Sequence, residues 1–181
     1  MGMSQSAVWN FDPTHSLLEF SVRHMMIARV KGRFGSFKGQ IVGDPANLDQ
    51  GGKVEVTVDV ASIDTRTEDR DNHLRSADFF DVERFPEMRF ASREIKKNGE
   101  GRYTVEGDLT IRDVTRPVKL DVTYEGSGKD PWGGERVAFS ATGRINRKDF
   151  GLTWNAPLET GGVLVGEEVD LAIEVEAVKA S

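Results

Sequence analysis

The chain has 181 residues, a formal charge of −6, 38% apolar residues and no cysteine. That length suits one domain with a continuous core, and the missing cysteine excludes disulfides, thiol nucleophiles and thiolate metal sites. The negative charge, with no segment gathering Lys and Arg on one face, argues against a nucleic-acid footprint and makes anionic membrane surfaces poor partners, and no apolar run is long enough to span a bilayer.

Residues 1–7 read as a tail, with Met1-Gly2 a cloning remnant ahead of a native start at Met3. The tail lacks the basic segment and apolar stretch of a secretory signal, so a cytoplasmic location is expected unless a leader has been removed. From LEFSVRH onward the dominant period is two: Leu18, Phe20 and Val22 alternate with Glu19, Ser21 and Arg23, as in a strand with one dry and one wet face. Met25-Met26 follow and would suit an adaptable pocket wall, since Met fills irregular gaps. VKGRFGSFKGQIV is a weaker strand carrying Phe34 and Phe37, and VEVTVDV is a clear one with Val54, Val56, Val58 and Val60 on a single face.

One helix interrupts the strands, over Glu68 to Arg75. Thr65 and Glu68 have the spacing of a capping box, in which each side chain satisfies a backbone amide at the helix start. Leu74 is the only apolar residue in the segment, so the helix belongs on the surface or across a barrel mouth, anchored by Phe79, Phe80 and Phe85.

Strands resume with MRFASREI (Phe90), YTVEGDLTI (Leu109), VKLDVTY (Leu120), RVAFSATGRI (Phe139) and VDLAIEV (Ile173). Gly51-Gly52, Asn98-Gly99, Asp130 to Gly134 and Gly161-Gly162 supply turn chemistry between strands. About eight strands joined by short connections make antiparallel neighbours, and a closed barrel removes the edges a sandwich would leave. The expected fold is all-β: an extended eight-stranded antiparallel barrel with a short helix after the third long strand. Gly32, Gly107 and Gly143 fall on the inward parity, where they mark bends or leave room for an apolar guest.

The charged stretch TRTEDRDNHLRSADFF admits two readings, an active site or a polar cap. His15, His24 and His73 stand on separate segments without the spacing of a zinc motif. Asp69, Asp71, Asp78 and Asp81 have no fixed mutual distance, and DRDNHLRSADFF lacks the central glycine and terminal acid of a calcium loop. No metal is therefore expected. Arg70, Asp71, His73, Arg75 and Asp78 can instead pair with one another and with strand-end backbone, which favours the cap.

The segments WNFDPTHSLLEFSVRHMM, VKGRFGSFKG, TRTEDRDNHLRSADFFD, FPEMRF, GDLTIRDVTRPVKL, INRKDFGL and VGEEVDLAIEVEA, taken in order, resemble the YceI family of lipocalin-like, polyisoprenoid-binding proteins. Asp113 departs from the pattern where the family usually has glycine. The resemblance implies a single lipid-binding barrel over residues 8–177, often a homodimer, whose pore holds a polyisoprenoid or isoprenoid quinone without catalysis. Candidate lining residues are then Leu18, Phe20, Val22, Met25, Met26, Phe34, Phe37, Val56, Val58, Phe90, Leu109, Leu120, Phe139 and Ile173. His24, Arg70 and His73 are candidates for polar contacts to a head group. Two rivals stay open: an enzyme using His24 or His73 beside an aspartate, and a packed barrel that binds a protein partner through its outer surface.

Overall fold

The computed structural model describes residues 7–156, 158 and 164–180. The 1–6 tail and the Gly161-Gly162 turn lie outside the described residues. In chain order the elements are β1 (Val8–Phe11), β2 (Leu17–His24), β3 (Ala28–Phe34), β4 (Phe37–Val42), β5 (Lys53–Asp59), β6 (Ile63–Asp64), α1 (Glu68–Arg75), β7 (Glu87–Lys97), β8 (Arg102–Ile111), β9 (Val114–Lys129), β10 (Glu135–Asn146) and β11 (Val165–Lys179).

These strands build a closed eight-stranded antiparallel barrel with one short helix. Three of its long strands are each broken in two. β1 and β2 are consecutive halves of one strand: β11 pairs with β1 at Ala177–Lys179 and with β2 at Val165–Glu174. A turn of 3-10 helix at Pro13–His15 separates the halves, because Asp12 caps it by accepting from the Thr14 amide. Likewise β3 and β4 flank Gly35-Ser36, and β5 and β6 flank a 3-10 turn at Val60–Ser62. β1 pairing with both β4 and β11 closes the ring. Among the described residues, no helix is long and apolar enough to cross a membrane.

Among the described residues three registers slip: between Ser92 and Glu94 in β7, between Ala138 and Phe139 where β10 meets β9, and between Val165 and Val169 where β11 meets β2. The β7 bulge shifts the alternation by one residue, so Phe90 and Ile95 both pack inward although their numbers differ in parity.

Two clusters of buried residues pack within the barrel. One gathers Trp9, Ile41, Leu48, Tyr103, Val105 and Ala177 around the 43–52 loop. Leu48, 1% exposed, plugs that end, and the Tyr103 hydroxyl donates to the Ala46 carbonyl at 2.8 Å. The other cluster gathers Phe34, Val58, Ile63, Met88, Ile111 and Phe150 beneath α1 and the segment after it, with Leu74 and Phe80 packed against it.

The capping box expected at Thr65 and Glu68 does not form. Thr67 is the N-cap, without a side-chain hydrogen bond to the helix. Thr65 is buried at the end of β6, where its amide and hydroxyl both donate to Asp71 in the first helical turn. The strand end thus binds the helix, the reverse of the helix capping itself.

Candidate functional site

Between the two clusters the barrel encloses a cavity of about 230 Å³. Leu18, Phe20, Val22, Phe34, Phe37, Val56, Val58, Phe90, Leu109, Leu120, Phe139 and Ile173 all lie on its walls. Among the described residues lining it, only Arg89 and Arg147 carry charge. Such a lining offers a water almost no hydrogen-bond partner, so an apolar ligand displaces only weakly held water.

The inward glycines do not create that space. A Cβ at Gly107 would meet the Phe90 ring at 2.6 Å, and one at Gly143 would meet Leu120 Cδ2 at 2.7 Å. The room over Gly32 is taken by Phe20. Each glycine lets a large neighbour lie flat on the wall, and the cavity is what remains along the axis.

Five expected contacts lie outside the lining. Met25 and Met26 occupy the exposed turn between β2 and β3, 45% and 49% exposed, because the chain reverses there instead of extending the wall. His24 ends β2 beyond the lining, opposite Ala28 and Val165. Arg70 donates from Nε to Thr65 Oγ1 at 2.7 Å and from Nη2 to the Thr65 carbonyl at 2.8 Å. His73 Nε2 lies 2.8 Å from Asp78 Oδ2, and its ring meets Phe79 and Trp154 edge to face. The pair is the histidine–aspartate arrangement of the enzyme rival, but both side chains are exposed and neither faces the cavity. Arg75 donates to the carbonyls of Ala61 and Ile63 at 2.9 Å. The charged stretch therefore fastens α1 to the barrel rim, and through Leu74, Phe79 and Phe80 it supplies apolar wall.

Arg147 escaped the sequence reading, since RKDF looks like a solvated basic cluster. It is 4% exposed, and burial pushes its guanidinium pKa down. The fork donates to the carbonyls of Gly166, Leu152, Trp154 and Val165 at 2.7, 2.7, 2.9 and 3.1 Å. These bonds tie the chain after β10 to the start of β11 beside the cavity. Leu48, Leu152 and Ile63 were missed too, because single apolar residues in loops or in a two-residue strand carry no periodic signal.

Toward the β2–β3 hairpin the lining residues Val22, Val165 and Val169 are half-buried, whereas at the plugged end Ile41, Val105 and Val175 are buried. Asp12, His15 and Glu176 place three donor atoms close enough to share a cation. Arg136 already supplies that charge: its Nη1 lies 2.8 Å from Asp12 Oδ2 and 2.9 Å from Glu176 Oε1.

Comparison with known proteins agrees with this architecture. The UPF0312 protein of Serratia proteamaculans is 43% identical over 166 residues, covering 92% of this chain and 82% of the relative. A Staphylococcus epidermidis relative is 42% identical over 169 residues, covering 93% and 95%. Among solved structures, Burkholderia cenocepacia BcnA superposes with a TM-score of 0.80 at 26% identity, covering 92% and 98% of the two chains. A polyisoprenoid binding domain from Saccharophagus degradans superposes with a TM-score of 0.70 at 15% identity, covering 95% and 98%, a likeness of fold alone. The model of the YceI-like domain matches residues 9–177, and the chain belongs to that family.

Proposed function

We propose that the barrel takes up one long apolar lipid, a polyisoprenoid or an isoprenoid quinone, and carries or stores it without chemical change. The observation behind this reading is the cavity itself: an axial space of about 230 Å³ walled by Leu, Val, Ile and Phe and plugged at one end by Leu48. Each methylene moved from water into such a space contributes roughly 0.8 kcal/mol, so a chain of several isoprene units needs few polar contacts. The Saccharophagus degradans domain, described as polyisoprenoid-binding, shares the fold and lends support.

Native mass spectrometry of freshly purified protein, followed by organic extraction and mass analysis, tests the reading. A stoichiometric adduct whose extract shows isoprene-unit spacing is the expected result. A prenyl quinone offered directly that leaves the native mass unchanged would overturn it.

A further inference from the structure

The turn between β2 and β3 exposes apolar residues that its own backbone disfavours. Met25 and Met26 have φ of 55° and 65°, and the Ile27 amide donates back to the His24 carbonyl. Two successive left-handed residues make the hairpin turn that Asn-Gly ordinarily fills, and a bulky residue is strained there. The chain nevertheless places Met-Met there, followed by Ile27 at 87% exposure.

The hairpin is also cationic. Against the expectation that no segment gathers Lys and Arg on one face, residues 20–34 hold Arg23, Arg29, Lys31 and Arg33 and no acid, in a chain of net charge −6. The acids beside them on β11, Glu167 and Glu168, are paired with Lys148 and Arg144. Arg29 pairs with Asp170 at 2.8 Å, and Arg33 lies 3.6 Å from Asp64. Arg23 stands directly across the strands from Arg29. Asp170 offsets Arg29, whereas among the described residues Arg23 forms no ion pair, and an anionic surface beyond the tip would supply one.

The tip adjoins the cavity wall. Val165, on the cavity wall, pairs with His24, and the Met25 amide donates to the Leu164 carbonyl at 2.8 Å. Apolar surface therefore continues from the wall to the tip, and a lipid leaving the barrel at this end passes beside it.

We propose that Met25, Met26 and Ile27 insert into the interface of an anionic lipid bilayer while Arg23 and Arg29 contact its phosphates, setting this end of the barrel against the lipid from which it loads. This rests on the lipid-binding reading above and names the partner it implies. Apolar side chains inserted below a cationic rim are the pattern of interfacial anchoring. A second copy of the chain is the poorer occupant. A two-fold contact brings a patch against itself, here Arg23 and Arg29 against Arg23 and Arg29.

The test is flotation of the full chain with vesicles of phosphatidylcholine, with and without phosphatidylglycerol, alongside uptake of farnesol in vesicle-free solution. Flotation is expected with phosphatidylglycerol and to weaken in high salt. Ile27→Asp lowers partitioning about tenfold and Arg23→Gln about fivefold, with both variants keeping the parent melting temperature and farnesol uptake. Equal flotation of parent and Ile27→Asp, or no flotation of either, overturns the docking proposal. So does a tip-dependent dimer in sedimentation. Failure of farnesol uptake in every protein counts against the cavity reading alone, and the flotation comparison still decides the docking.

Discussion

Phe20 lies across Gly32, its cross-strand partner on β3, so closely that a Cβ on the glycine would overlap the ring and come within 2.9 Å of Thr65 Cγ2. The ring also packs against Phe34, with centroids 5.5 Å apart. Gly32→Val therefore forces Phe20 off the wall and into the axial space. Overpacking of this kind costs about 1–3 kcal/mol, and the displaced ring narrows the cavity. Thermal melts should show the destabilisation, and lipid titration a weaker affinity. A variant that melts lower yet binds lipid as the parent does would show that Phe20 has another rotamer clear of the axis.

Ala141 separates capacity from stability. It sits on the cavity wall, opposite Val122 on β9 and Ile173 on β11. Ala141→Phe directs a ring into space no side chain occupies. Filling an apolar cavity recovers lost packing contacts, so the melting temperature is expected to hold or rise while lipid stoichiometry falls sharply. Unchanged stoichiometry by native mass spectrometry would place the lipid elsewhere.

The barrel was legible because it rests on alternation, and alternation survives in Leu18-Phe20-Val22 and Val54-Val56-Val58 without help from distant residues. Features set by tertiary context were not. Leu48 is one apolar residue in a polar loop, and only the folded barrel shows that it plugs an end. Met25-Met26 continues the apolar run of β2 and lacks the Gly or Asn that would announce a turn, so it read as wall. Thr65 and Glu68 have capping-box spacing, but spacing cannot tell that Thr65 is buried at a strand end. Arg147 is silent for a similar reason: its four carbonyl partners are folded against it from residues 5 to 19 positions away.

Asp71 is the latch of α1. Buried, it accepts from both the amide and the hydroxyl of Thr65, while Arg70 donates to that same hydroxyl. Asp71→Ala leaves those donors without their acceptor, at a cost of roughly 2 kcal/mol. The loss falls on the helix rather than the barrel. Hydrogen exchange should quicken over residues 65–76 while β8 to β10 keep their protection, and Asp69→Ala, at an exposed position, should change neither. Uniform loss of protection would mean that α1 is integral to barrel closure.

Arg147→Met tests the clasp beside the cavity. Methionine keeps much of the aliphatic bulk and removes the donors to four carbonyls. Removing a buried charge recovers some desolvation cost, but orphaned acceptors cost more, and a net loss on the order of 3 kcal/mol is expected. Denaturant melts measure it. An unchanged midpoint would show that water satisfies those carbonyls in the variant.

Arg136 gives a dependence on pH whose sign can be worked out. It bonds Asp12, Asp130 and Glu176 from a partly buried position at the plugged end. The Arg136 guanidinium first, then His15 and Thr14, holds the Asp12 carboxyl well below the usual carboxylate range. Asp130 is lowered as well, chiefly by the Gly134 amide and then by Arg136. A carboxylate depressed on folding stabilises the native state fully above its unfolded pKa of about 3.9, and that contribution fades as pH falls toward the folded value. Arg136→Met should therefore melt several degrees below the parent at neutral pH. The gap should narrow once pH drops under about 4, where the unfolded chain takes up protons that Asp12 and Asp130 resist in the fold, so the stabilisation they share with Arg136 fades. Melts of both proteins across the acid limb measure this. A gap that stays constant with pH would assign the contribution of Arg136 to the packing of its aliphatic stem, with the three carboxylates held in place by their other partners.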